Sequence, residues 1–285
     1  MPHLTSFFAS RGRHYSYNVS KPHKSRRSCS RLSPYIAWGN LSLRQVYHVY
    51  LQQKQQVSWQ KSLSSFASRL HWHCHFIQKF ESEHAIEWQT LNAGYEQFPW
   101  REGERAQTLF TAWRDGQTGY PLVDAVMRAL QATGYVNFRM RAMVVSFACH
   151  CLLLPYQWVA QVLARYFLDF EPGIHFPQIQ MQASVTGINI VRIYNPVKQS
   201  QDQDPDGTFI LTWVPELASC PKTFLHEPWL ALAVPDVMYT VPIVEYTAAM
   251  AQARILFWEW RARPEVKADR QRVLDKHCVP NTKRR

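Results

Sequence analysis

The sequence predicts an all-α fold, a single helical domain with long loops. Three observations carry that prediction. Apolar residues recur at helical spacing in one segment after another, strand-like alternation is scarce, and no linker or internal repeat divides the chain. With 46% apolar residues in 285, eleven Trp, thirteen Tyr, fifteen Phe and only ten Gly, the composition is that of an aromatic-rich globule with a sizeable core.

The elements follow in order. Arg11 to Ser30 mixes Ser, Lys, Arg and Pro22 and reads as irregular, so residues 1–28 are expected to be a basic arm that only partly joins the functional site. The domain proper is expected over 29–262, with a basic tail over 263–285. In LSLRQVYHVYLQQ the positions Leu43, Val46, Tyr47 and Tyr50 predict a first helix, and Leu63, Phe66, Leu70, Phe76 and Ile77 predict a second over 62–80. Helices are predicted over 104–113 and 123–130, split by the turn signal DGQTGYP. Another runs from Asn137 to Leu154 and is stopped by Pro155, followed by one over 156–167. A Pro- and Gln-rich loop comes next, and a last helix over 246–263. INIVRIY (188–194) is the best short strand candidate.

Charge is uneven. The net +11 resides at the ends: residues 1–31 hold seven Lys/Arg and no acid, and residues 254–285 hold ten against four. Such ends suit either phosphate neutralisation or plain solvation. The longest apolar stretch, 143–154, is too short for a bilayer and contains His150, and MPHLTSFFASRGRHYS lacks the layout of a secretory signal. The six cysteines form no CxxC pair, which fits reduced thiols in a cytoplasmic protein.

Several motifs are weighed and set aside. In HWHCH (71–75), His71, Cys74 and His75 share a helical face, but a fourth zinc ligand is missing, so structural or pocket-lining histidines are expected and no metal. DQDPDG (202–207) imitates the start of a calcium loop, yet its twelfth position is Trp213, so it reads as a turn. Neither GxGxxG, GxxxxGK nor GxSxG occurs. SCSRLSP (28–34) offers small polar side chains and backbone N–H groups ahead of a helix, which suits an anion or an ordinary cap series.

NFRMRAMVVSFACH (137–150) poses a sharper question. Arg139 and Arg141 lie about 200° apart on a helix, so one of them must face protein. A buried guanidinium requires an anion. Asp169, at the end of the following helix in FLDFEPGIH, is the natural partner of Arg141, with Glu171 beside it.

Five ordered segments then carry a resemblance: SRLSPYIAWGNLSLRQV, WRDGQTGYPLVDAVMRALQATGY, RIYNPVKQ, WVPEL and HEPW. Together they resemble the C-terminal, flavin-binding helical domain of DNA photolyases and cryptochromes over roughly residues 10–260. The resemblance implies noncovalent FAD and blue-light chemistry. It implies that Cys29, Ser30, Arg31, Leu32 and Ser33 grip the phosphates, with Tyr15 before them and Phe66 and Phe170 also against the cofactor. It places Asp169, Glu171 and Arg141 beside the flavin and ribose, and Arg139 and Gln199 toward DNA. His175 stands where repair enzymes carry an Asn near the reactive flavin nitrogen. Trp72 matches a substrate-stacking Trp, whereas Arg69 replaces the Glu of repair enzymes, Phe138 an Asn and Met181 a second substrate-facing Trp. Arg69, Trp72 and His175 are thus the candidate catalytic set. In the tryptophan relay of the family, Ile179 falls at the inner position, Tyr156 at the middle and Trp100 at the outer one. The expected function is light-driven electron transfer in DNA photorepair, on damaged DNA with single strands included; the alternative is a cryptochrome-like photoreceptor without repair. No βαβ pattern precedes SRLSPY, so an antenna pigment is not expected within this chain.

Overall fold

A computed structural model describes residues 2–55, 57–231 and 239–278. It is helical, and the described residues contain no strand. The chain opens with α1 (Pro2–Ala9), a 3₁₀ turn at Arg11–His14, α2 (Tyr15–Asn18), α3 (Pro22–Ser28) and α4 (Ser33–Ala37). Residues 11–30, expected to be irregular, are therefore largely helical. The reason is burial: Leu4, Phe7 and Phe8 are covered, and Phe7 packs against Tyr15, Trp59 and Phe66. This aromatic cluster offsets the weak local propensity of the basic stretch.

Next come α5 (Leu43–Gln53), started by a Ser42/Gln45 capping box, and the long α6 (Gln60–Ser82). Leu63, Phe66 and Leu70 of α6 close a first apolar core with α1, Leu32 and Val46. A second and larger core is built by α7 (Gly103–Arg114), α8 (Pro121–Thr133), α9 (Phe138–Ser146), α10 (Tyr156–Tyr166) and α11 (Pro172–Gln182) together with later elements. The two cores meet along α6, which packs on α11 so closely that a Cβ at Gly173 would lie 2.7 Å from Ile77 Cδ1.

The predicted helix over 137–154 ends early. Its α part stops at Ser146, and Phe147–Cys151 forms a π-helical turn. The expected loop after 167 holds three helices: α11, α12 (Pro196–Gln203) and α13 (Thr208–Trp213). Pro172 and Pro196 sit in the first turns, where the missing N–H costs nothing. Residues 188–194 pair with no strand. DQDPDG is a turn whose Asp204 carboxylate accepts from the N–H groups of Phe209 and Ile210 at the head of α13.

After α14 (Tyr246–Arg261), the expected tail forms a further helix, α15 (Pro264–His277). Val266 and Val273 are buried, and Glu83 accepts from Arg272 at 2.7 Å and Lys276 at 3.0 Å. The remainder of that tail, 279–285, lies outside the described residues. No described helix is long and apolar enough to cross a membrane.

Candidate functional site

The site residues divide between the two cores and face one another where these meet. Asn137 starts α9 by accepting from the Met140 N–H and donates its own amide to the Val19 carbonyl, tying α9 to the N-terminal layer. Four residues further on, Arg141 Nη2 donates to both carboxylate oxygens of Asp169, at 2.9 and 2.8 Å. The Asp169 side chain is 3% exposed and that of Arg141 26%. Arg141 also lies over the rings of Phe167, at 4.1 Å, and Tyr135. Arg139 has no carboxylate: it donates to the Tyr194 hydroxyl at 3.1 Å and stacks against Phe138, and its Nε is buried without a partner.

The phosphate-type segment comes from the N-terminal layer. Arg31 has φ +58, rare for a residue with a Cβ, and Leu32 follows in the α region. Successive residues of opposite hand turn their N–H groups to one side and form an anion-binding nest. Among the described residues, the amides of Ser30, Arg31 and Leu32 donate to no protein acceptor, and Ser33 begins α4 without a side-chain cap. Arg11 braces the segment from behind by donating to the Cys29 carbonyl at 2.6 Å and to those of Arg27 and His3. Cys29 and Tyr15 are buried, and burial pushes the thiol up to about 12 and raises the phenol as well, so both are neutral. Tyr15 meets Phe66 edge-on at 6.1 Å. Tyr135 joins the two halves, its ring meeting both Arg31 and Arg141.

His175, in the first half of α11, is buried among Phe167, Phe170 and Phe176. Burial pushes it down to about 4, so it is neutral at pH 7. Its Nε2 lies 2.8 Å from the Ala160 carbonyl, which can only accept; the proton is therefore on Nε2 and Nδ1 keeps its lone pair. Glu171 receives His73 Nε2 at 3.0 Å. Trp72 is 48% exposed beside His75 and Phe76. Arg69 lies over Phe138 at 4.6 Å. Gln199, on α12, has a buried Oε1 without a partner. Trp100 and Tyr156 lie apart from these groups but against each other, with ring centroids 6.3 Å apart.

Thus Tyr15, Cys29–Ser33, Phe66, Arg69, Arg141, Asp169 and His175 are brought to one region. His73, Tyr135 and Tyr194 are additions. His73 sits within HWHCH but on the flank away from His71 and Cys74, so a metal-directed reading passes over it. His71 packs on Tyr47 instead. All six cysteines are unpaired, and no three described His, Cys, Asp or Glu side chains cluster as a metal would need.

Fold and site together describe a helical domain whose seam holds an unsatisfied backbone nest, several arginines and one buried charge pair lined by aromatic rings. The family described as the FAD binding domain of DNA photolyase matches residues 66–259, and the chain belongs to it. It is 30% identical over 251 residues to a deoxyribodipyrimidine photo-lyase of Alkalihalophilus pseudofirmus, covering 85% of this chain and 51% of that one. It is 34% identical over 222 residues to cryptochrome DASH of Synechocystis, covering 76% and 44%. The solved Synechocystis cryptochrome superposes with a TM-score of 0.82 at 29% identity, over 90% of this chain and 54% of that one. A bacterial class III photolyase from Agrobacterium tumefaciens gives the same score at 24% identity, covering 92% and 55%, which is a likeness of fold. The chain spans about half the length of these relatives. Its cofactor is FAD, and the residues present fit it: among the described residues the amides of 30–32 donate to no acceptor and form a nest suited to phosphate, with Arg31 itself in that segment.

Proposed function

We propose that this domain carries out blue-light-driven electron transfer through bound FAD, with damaged DNA as the acceptor. Bound FAD supplies the light absorption and the transferable electron. The protein supplies position and field. Arg141–Asp169 fixes one charge pair beside the ring system, and His175 presents a neutral imidazole whose free lone pair can accept a proton. The observation that carries the DNA reading is the wall formed by Arg69, Phe138, Arg139 and Tyr194, in which guanidinium and aromatic planes alternate. Such a wall suits an unstacked base and its phosphates. With Arg69 where repair enzymes carry a carboxyl, no protonated acid is available there, so the lesion would be held through its acceptor oxygens and backbone phosphate.

The test is lesion loss from damaged oligonucleotides, single- and double-stranded, with FAD fully reduced, under blue light and in the dark. Conversion under light alone is the expected result. No conversion of any lesion, with FAD bound and reduced throughout, would overturn the repair reading and favour a photoreceptor, a role also represented among the relatives.

A further inference from the structure

The helix α14 is apolar on two opposite faces. Ala253, Phe257 and Trp260 are buried in the larger core. On the far side Ala248, Ala251, Ile255, Trp258 and the flanking Ala262 are all exposed, Ile255 at 60% and Trp258 at 55%. Their spacing is three, four, three, four. That is the seam of a two-stranded coiled coil, unlike the single apolar residues scattered on any surface. Charge is sorted along the same helix: Arg254 and Arg261 follow one edge of the stripe, Gln252 and Glu259 the other. Arg254 and Glu259 are both exposed, and at five residues apart on opposite edges they do not face each other within one helix. A second copy related by a two-fold axis along the helix resolves both features. It covers the stripe with the same stripe and brings each basic edge against the partner's acidic edge, Arg254 of each copy facing Glu259 of the other. The antiparallel arrangement sets arginine edge against arginine edge and acid against acid, so charge selects the parallel one.

We propose that the outer face of α14 is the contact surface of a symmetric, parallel dimer of this chain, with Ile255 and Trp258 at its centre and an Arg254–Glu259 pair on either side. Each α14 is already held by its own core through Ala253, Phe257 and Trp260, so association does not also have to order the helix. Two heptads make a seam that is small beside the roughly 800 Å² per partner of a standard interface, so the dimer is weak, with a dissociation constant on the order of 10 µM. The inference stands whether or not DNA is the electron acceptor.

Full-length protein with FAD bound is sedimented in the dark, at about 0.15 M salt and at concentrations from about 1 to 300 µM. Wild type should pass from monomer to dimer across that range. Ile255→Arg places a charge at the centre of the seam and should leave a monomer throughout. Arg254→Glu and Glu259→Arg should each weaken the dimer about fivefold or more, since either one turns two attractive pairs into repulsive ones. Combining the two substitutions restores opposite charges and should return the dimer to wild-type strength. All of these side chains are exposed, so FAD content and melting temperature should match wild type. If Ile255→Arg fails to melt cooperatively, Trp258→Ala takes its place and should weaken the dimer about tenfold. A wild type that stays monomeric at the highest concentration, or a dimer indifferent to substitution at 255 or 258, would overturn the proposal and leave the stripe to a different partner. Single charge reversals without effect would overturn it as well, because the parallel arrangement requires those pairs.

Discussion

At the scale of single residues, two arginines two positions apart resolve into opposite roles. Arg141 takes a carboxylate, and Arg139 takes a ring and a hydroxyl. The consequence is testable by neutralising each acid in turn. Asp169→Asn strips a nearly buried partner from Arg141, and breaking such a pair costs about 3–5 kcal/mol. Arg141 keeps some solvent, so the lower end applies, and bound FAD should be lost or its redox behaviour altered. Glu171→Gln removes only a part-exposed contact with His73, worth under about 1 kcal/mol. Melting curves and FAD content of the two purified variants give the comparison, and equal damage would undo the ranking. The Arg141–Asp169 pair was legible in the sequence because helical geometry forces one arginine inward and the next helix ends on an acid. The Tyr194 partner of Arg139 was not legible, because it arrives 55 residues later on a segment whose strand-like pattern gives no hint of a contact with α9. The nest was half legible: SCSRLSP announces exposed amides, but the left-handed Arg31 that makes them converge leaves no trace in residue type.

At the scale of elements, periodicity located α5 to α8, α10 and α14 to within a few residues, overran the end of α9, and failed where packing overrides local preference. Residues 11–30 carry too many charges to look helical, yet Tyr15 packs into the aromatic cluster around Phe7, and Pro22, Ser25 and Ser28 are buried as well. Pro172 and Pro177 argued for a loop, but the first lies in the opening turn of α11 and the second is tolerated inside it, buried in the larger core region. The π turn at 147–151 also escaped, because its cause is tertiary. It presents His150 to two hydroxyls, Ser146 at 2.8 Å and Ser184 at 3.1 Å, in a fully buried network. His150 and His175 are both pushed down to about 4 from an ordinary 6.5 by burial. The unfolded chain therefore binds these protons first as pH falls. Stability is full above about 6.5 and drops by about 1.4 kcal/mol per pH unit for each histidine until about pH 4. Melting temperature should fall from pH 7 to pH 5 before the carboxylates titrate, and His150→Gln should make that fall shallower. A flat profile in the wild type would mean that these rings are not held neutral.

At the scale of the whole molecule, two cores meeting along α6 place the cofactor residues at a seam, and the electron route that the family resemblance suggests runs through the larger core. The resemblance puts that route through 179, 156 and 100. The two outer residues of that proposed route are in contact: Trp100 lies edge-on to Tyr156, with Phe98 and Phe257 packed around the indole. Gln180 Nε2 holds the Tyr156 hydroxyl at 3.4 Å. The inner half is an aliphatic side chain, Ile179, buried one turn beyond His175 on α11. An alkyl group has no accessible hole state, so the first hop lacks a carrier. Trp158 packs edge-on to Phe110, which stacks on Trp113, toward the α7 side of the interior. The expected outcome is slow photoreduction of the wild type under blue light with excess reductant. Ile179→Trp should accelerate it, and adding Tyr156→Phe to that variant should return it toward the slow rate, because the inserted indole would then have no adjacent redox-active ring leading outward. Overpacking at 179 costs about 1–3 kcal/mol, so each variant is first shown to melt cooperatively with FAD bound. Rapid bleaching of the wild type, indifferent to both substitutions, would place the electron's path elsewhere in the aromatic core.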